Sequence, residues 1–193
     1  MPNWCDFGAV VRGNKKELDI FYKRCLEAQR LSAITQNWWT YELLLQHGYT
    51  KEEVLNSVFP YVGGSLDQIE EPEQLDDDDW YVRIWMTTRW SPMIDGFNAM
   101  LHQYMSLKGV YCAEEPGCEI YVNTDTDGDF FTVKYCIYDD DDGSEYFDSD
   151  SEFINYMKDT YKKDISLISD LKDDDEIKVK GGKSIYFHRY VAY

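Results

Sequence analysis

Twice in this chain a strand-like run passes directly into the start signal of a helix, and that pair of junctions limits the folds it can adopt. In the first, Trp4 to Arg12 reads as a strand and Gly13 breaks it. Asn14 then caps a helix, with Glu17 three residues on as a capping box. Leu18, Phe21, Tyr22, Cys25 and Leu26 follow at helical spacing on one face. In the second, Trp80 to Thr88 alternates as a central strand, Ser91 caps the next helix and Pro92 takes its first position. Ile94, Phe97, Leu101, Tyr104 and Met105 form the buried stripe of that helix.

Between the junctions lies a helical insert at about 34–60. Trp38, Tyr41, Leu44 and Leu45 recur at helical spacing, "HGYT" breaks the run, and Thr50 with Glu53 starts a second short helix. A helix-turn-helix reading of "LLLQHGYTKEEVLN" lacks the basic residues that would meet phosphates. Strands at 64–70 and 110–114 complete the order β-α-(insert)-β-β-α-β, with "EEPEQLDDDD" as an acidic loop. The predicted class is α+β: a ferredoxin-like βαββαβ antiparallel sheet with helices on one face, extended by an added β-hairpin. One domain is expected over 1–161. An acidic C-terminal extension over 162–193 would end in a strand packed on that same domain.

The added hairpin comes from "IYVNTDTDGDFFTVKY". With Asp127-Gly128 as a two-residue turn, Thr124 faces Phe131, Val122 faces Val133 and Ile120 faces Tyr135, all on one side. The same segment resembles half of a calcium-binding loop. Asn123, Asp125, Asp127 and Asp129 are its weak metal candidates, but Lys134 stands where a bidentate Glu is needed. No metal and no cofactor are expected.

Five cysteines and three histidines show no ligand spacing, and the odd count without C-x-x-C reads as reduced thiols. No Gly-rich phosphate loop, G-x-S-x-G or H-E-x-x-H is present, so no catalytic residue is assigned. No membrane span and no signal peptide are read from the sequence.

Charge separates the chain into two parts. Residues 1–60 hold seven acids and seven bases, while everything from Tyr61 onward carries the net charge of −18. A field of that sign repels nucleic acid and anionic membranes and attracts basic surfaces. The expected partner-binding residues are Asp76, Asp77, Asp78 and Asp79, together with Asp139, Asp140, Asp141, Asp142, Glu145, Asp148 and Asp150. The alternative partner-binding face is the neutral one around Trp38, Trp39 and Tyr41. Near the C-terminus, Lys178, Lys180 and Lys183 flank a Gly181-Gly182 turn and read as edge-strand lysines.

The start "MPNWC", the segment "WMTTRWSP" and the run "YCAEEPGCEIYVNTDTDG" resemble the YubB ferredoxin-like family of phage and plasmid proteins. The resemblance runs from Met1 to about Tyr161 and leaves the tail from Lys162 uncovered. It implies a phage or mobile-element origin and a ferredoxin-like core, with no catalytic residues to carry over. Joined to the charge, it predicts a non-catalytic protein in the host bacterial cytoplasm. Such a protein would inhibit a basic, nucleic-acid-binding defence component by nucleic-acid mimicry, in the manner of anti-CRISPR or anti-restriction proteins. It would bind neither nucleic acid directly nor membrane. The alternatives are a phage interaction protein whose acidic surface is merely solvated, and a metal-dependent nuclease.

Overall fold

A computed structural model describes residues 3–55, 63–139, 143–172, 175–179 and 183–192. The chain is α+β, with antiparallel sheets and, among the described residues, five α-helices. It divides into two compact units, Met1–Ile120 and Tyr121–Tyr193. The boundary expected near Tyr161 does not coincide with this division.

The first unit opens with β1 (Trp4–Gly13) and α1 (Lys15–Thr35). Only half of the expected capping box forms: the Asn14 side chain accepts from the Glu17 N–H at 3.0 Å, but the Asn14 N–H donates to the Ser106 hydroxyl at 3.1 Å and the Glu17 carboxylate accepts from Met105 and Ser106 instead. Leu18, Phe21, Cys25 and Ala28 make the buried stripe, whereas Leu26, expected there, is exposed. The insert supplies α2 (Trp39–Gln46) and α3 (Lys51–Leu55), and its end at 56–60 lies outside the described residues. Thr50 and Glu53 exchange hydrogen bonds at the start of α3 as a capping box.

The sheet follows with β2 (Gly64–Ile69), β3 (Glu73–Asp76) and β4 (Asp79–Arg89), then α4 (Ile94–Leu101) and β5 (Lys108–Glu115). The strand order is β2-β4-β1-β5, every pair antiparallel, with β3 also on β4. The expected acidic loop is therefore in part a strand, because Tyr81 and Trp80 pair with Glu73 and Gln74. β1 and β4 match over their whole length, from Trp4↔Arg89 to Gly13↔Trp80.

Cys5, Phe7, Ala9 and Val11 share one face of β1 and are buried. Phe7 meets Phe97 of α4 edge-on at 5.6 Å, and Phe97 lies 6.5 Å from Phe21 of α1, so aromatic contacts join both helices to this face.

The start of α4 differs from expectation. Ser91 and Pro92 do not cap it; Met93 takes the cap position with no side-chain bond. The Ser91 carbonyl instead accepts from the Thr88 hydroxyl at 2.9 Å, and Trp90 turns the chain in the left-handed region at φ 69°. The helix also ends at Leu101, leaving Met105 98% exposed rather than in the core stripe.

On the other face of β1, Gly8 is required by a side chain. A Cβ there would stand 2.5 Å from the Trp85 ring, which covers the strand. Gly8→Ala is expected to cost about 1–3 kcal/mol through overpacking, read as a lower denaturation midpoint with unchanged m-value.

β6 (Ile120–Asn123) spans the division between units. The second unit contains β7 (Tyr135–Asp139), β8 (Gly143–Phe147), α5 (Asp150–Thr160), β9 (Asp175–Lys178) and β10 (Ser184–Arg189). Its sheet runs β8-β7-β10-β9, all antiparallel. The expected C-terminal extension thus supplies two of the four strands. Ser149 caps α5 by accepting the Glu152 N–H at 3.3 Å, and Glu152 reaches back to the Asp148 N–H at 3.1 Å. Phe153 and Met157 of α5 pack with Ile137, Phe147, Ile185 and Phe187 into a separate core.

The hairpin expected around Asp127-Gly128 does not form. Val122 bridges Val191 in parallel, and the backbone of Lys134 is taken up by Phe147 and Tyr190. Between them, side chains hold the loop. Asn123 donates to the carbonyls of Phe131 (2.7 Å) and Val133 (2.9 Å), and Asp125 accepts from the N–H groups of Phe130 (2.6 Å) and Phe131 (2.9 Å).

Candidate interaction surface

The acidic residues fall into three physical situations. The first is the outer edge of the first unit's sheet. β2 and β3 lie end to end along β4, from Gly64↔Thr88 to Asp76↔Asp79. Asp67, Glu71, Glu73, Asp76, Asp77 and Asp78 are exposed along it and Glu70 is half-buried. Several are fixed in place. The Thr87 hydroxyl donates to Asp67 at 2.7 Å and the Tyr81 hydroxyl donates to Glu73 at 2.6 Å. At the turn, Asp76 accepts the Asp77 N–H at 2.7 Å, and the Gln74 amide donates to the carbonyls of Asp76 and Asp77. The bond to Glu73 holds the proton on Tyr81 and raises its pKa.

The second situation is engagement by a side chain from elsewhere in the same unit, an ion pair at Asp79 and a hydroxyl at Asp150. Asp79 is paired with Arg12, so it adds little free charge to that edge. Asp150 accepts the Tyr135 hydroxyl at 2.8 Å in the first turn of α5. Burial first, and then this bond, raise the Tyr135 pKa.

The third situation is burial, and it corrects the reading of Asp139 as part of a solvated binding strip. Asp139 is 2% exposed. Lys183 donates to its Oδ1 at 2.6 Å and the Tyr161 hydroxyl to its Oδ2 at 2.9 Å. Burial, followed by the bond to Asp139, pushes the Tyr161 pKa up. Asp139 is thus a structural group of the second unit. Asp140, Asp141 and Asp142 lie outside the described residues, as do Asp173, Asp174, Lys180, Gly181 and Gly182. Glu145 on β8 and Asp148 before α5 are exposed. Lys178 stands on β9, an edge strand, where it is paired with Glu176.

The alternative face divides likewise. Trp39 is 2% exposed, its indole N–H donating to the Cys25 carbonyl at 3.1 Å, so it belongs to the core. Tyr41 is half-buried. Trp38 stays at the surface beside Trp4, with ring centroids 6.0 Å apart.

The weak metal candidates serve the loop. Asn123 Oδ1 accepts the Asp125 N–H at 2.8 Å, and the Asp125 carboxylate accepts from Phe130 and Phe131. Among the described residues, no group of three or more His, Cys, Asp or Glu is arranged to hold a metal ion. Burial pushes the thiols of Cys5 and Cys112 up to about 12, and that of Cys25 higher still. At ordinary pH these three are protonated and poorly nucleophilic. Among the described residues, no helix is long and apolar enough to cross a membrane.

The sequence places Asp67, Glu71 and Glu73 within an acidic strip near 67–79, but singles out only Asp76–Asp79 as binding residues and does not set the strip along a sheet edge. The signal for that edge was the alternation on either side of "EEPEQ", which places these residues on strands flanking a shared neighbour. Comparison with protein-family models, with curated proteins and with solved structures found no match to this chain.

Proposed function

We propose that this chain is an acidic, ferredoxin-like protein of a phage or mobile element. In the host bacterial cytoplasm it binds a basic groove on a nucleic-acid-handling or defence protein, presenting carboxylates where that groove receives phosphates. The observation that carries the reading is the ordered acidic edge of β2 and β3. Five carboxylates, Asp67, Glu70, Glu71, Glu73 and Asp76, run beside the stretch of β4 between Met86 and Asp79, and Asp77 and Asp78 continue the charge around the turn at its end. At the rise of a strand that stretch spans about 24 Å, or roughly one charge every 5 Å before the two further charges of the turn. One strand of duplex DNA carries a phosphate about every 3.4 Å of axis.

The ferredoxin-like reading is supported by the order β2-β4-β1-β5 with all neighbours antiparallel, once β3 is set aside as an extension of the β2 edge. The resemblance of the N-terminal and central segments to the YubB family supplies the phage setting. The net charge of −18 disfavours direct binding to nucleic acid or anionic membrane.

The test uses the Asp76→Asn, Asp77→Asn, Asp78→Asn triple variant, which keeps side-chain size and removes three charges at the turn. The wild-type chain, immobilised, is expected to retain a basic protein from bacterial lysate at low salt, and duplex DNA is expected to displace it. The triple variant should hold that protein at least about tenfold less tightly, mainly through slower association. Equal retention by the variant, or no competition by DNA, would reduce the edge to a solvated surface.

A further inference from the structure

The neutral end of the chain contains a feature the acidic edge does not explain. Where α1 meets α2, a depression of about 280 Å³ opens at the surface, and no charged side chain lines it. The corner is built tightly. Gln36 ends α1 in the left-handed region at φ 59°, its N–H donating to the Ser32 carbonyl at 2.9 Å. Asn37 is then fixed from both sides: its carbonyl accepts the Ser32 hydroxyl at 2.6 Å and its Nδ2 donates to Glu42 at 2.8 Å. Glu42 is itself only 4% exposed, so this anchor is rigid.

The lining combines neutral polar groups with apolar surface. Gln29 comes from α1, Gln36 and Asn37 from the corner and Ser65 from β2, while Trp38 and Leu66 supply the apolar part. The side chains of Gln29, Gln36 and Ser65 make no hydrogen bond to other described residues, which leaves their donors and acceptors for a ligand. Trp38 is 39% exposed and braced by Trp4.

This composition selects among ligand classes. An ion would lose its water without meeting a countercharge. A hydrocarbon would strip water from several amide and hydroxyl groups and return nothing. An anionic nucleotide would enter against the field of a chain at −18. A nucleobase presents its polar atoms along adjacent edges of one plane, whereas the polar groups here are spread over three elements around an open bowl. A ring that carries hydroxyls around its circumference and an apolar C–H face satisfies both the amides and the indole. We propose that the α1–α2 corner binds one neutral saccharide ring, its C–H face against Trp38. The volume lies at the low end for ligand sites, which suits a single ring, and a ligand of that size implies a Kd of the order of millimolar.

The test is a titration of the ¹⁵N-labelled chain with methyl α-glucopyranoside, methyl β-galactopyranoside and N-acetylglucosamine, to about fifty times that Kd. At least one sugar is expected to shift the side-chain amides of Gln29, Gln36 and Asn37 and the Trp38 indole N–H. Gln29→Leu and Trp38→Ala should each weaken the binding about tenfold. Gln29 is exposed on a helix, so loss of binding in Gln29→Leu with an unchanged melting temperature separates recognition from folding. The Asp76–Asp78 triple variant should bind the sugar as the parent does, which keeps this result independent of the acidic edge. No shift with any of the three sugars, shifts confined to other residues, or adenosine shifting these amides where the sugars do not, would each overturn the proposal.

Discussion

Replacing Asp139 with Ala is expected to destabilise the second unit by about 3 kcal/mol, the lower end of the range for breaking a buried ion pair. The carboxylate is 2% exposed and receives both Lys183 and the Tyr161 hydroxyl. Its removal leaves an ammonium and a phenol without their acceptor. The lower end applies because the Lys183 side chain is 29% exposed and can recover part of its hydration. Adding Lys183→Met to Asp139→Ala should restore much of the loss, since replacing both charges removes the uncompensated one. Glu145→Gln on the exposed surface of β8 should change stability by no more than about 0.5 kcal/mol. Chemical denaturation of the four proteins checks this. A cost below about 1 kcal/mol for Asp139→Ala would show that the pair is not a structural element. The result also bears on function, because neutralising 139–142 as a block would damage the fold and imitate loss of binding.

Asp139 shows why part of this chain could not be read in advance. In sequence it is the first of four aspartates, and such a run reads as a solvated face. Its partners stand 22 and 44 positions further on: Tyr161 reaches it from the end of α5, and the pairing of β7 with β10 brings Lys183 beside it. The first unit was legible because its signals are local. The Asn14 cap on the Glu17 N–H, the alternation of β4 and the Thr50–Glu53 box each act within a few residues, and each is present in the structure. The segment 121–134 misled for a physical reason. Its alternation suits a hairpin, but Asn123 and Asp125 offer the backbone a competing set of bonds, and Val191 takes the neighbouring pairing position. The resemblance to a calcium loop has the same origin, since residues that curl a loop around an ion can also curl it around backbone N–H groups. The acidic edge was half legible: the charges of Asp76–Asp78 stood out, while their alignment with Asp67 and Glu73 needed the register of β4.

The first unit should lose about 3 kcal/mol of stability between pH 6.5 and pH 4 through one residue, His47. His47 caps α2 and is 4% exposed. Its Nδ1 lies 2.8 Å from the Leu43 carbonyl and its Nε2 lies 3.1 Å from the Tyr104 hydroxyl, which in turn accepts from Arg24 at 2.8 Å. The consistent arrangement is a neutral ring that donates from Nδ1 and accepts at Nε2. Burial lowers the His47 pKa to about 4; the bond to Leu43 opposes the shift and the Arg24 charge adds to it. The unfolded chain keeps an ordinary value near 6.5. Above that value neither state holds the proton and the full stability is present. As pH falls below it the unfolded state is protonated first and is favoured, until the folded state also takes up the proton near pH 4. Other groups titrate over the same range, so the contribution is read as a difference between proteins. His47→Gln should be less stable than the parent at pH 7.5 and should lose about 3 kcal/mol less on going to pH 4. Tyr104→Phe, which keeps the ring and removes the hydroxyl, should raise the His47 pKa only if the gain in water access outweighs the lost acceptor arrangement. A direct NMR titration of His47 in that variant separates the two. Equal acid sensitivity of the parent and His47→Gln would mean that folding does not shift the titration of this ring, against the burial and the hydrogen-bond arrangement that hold it neutral.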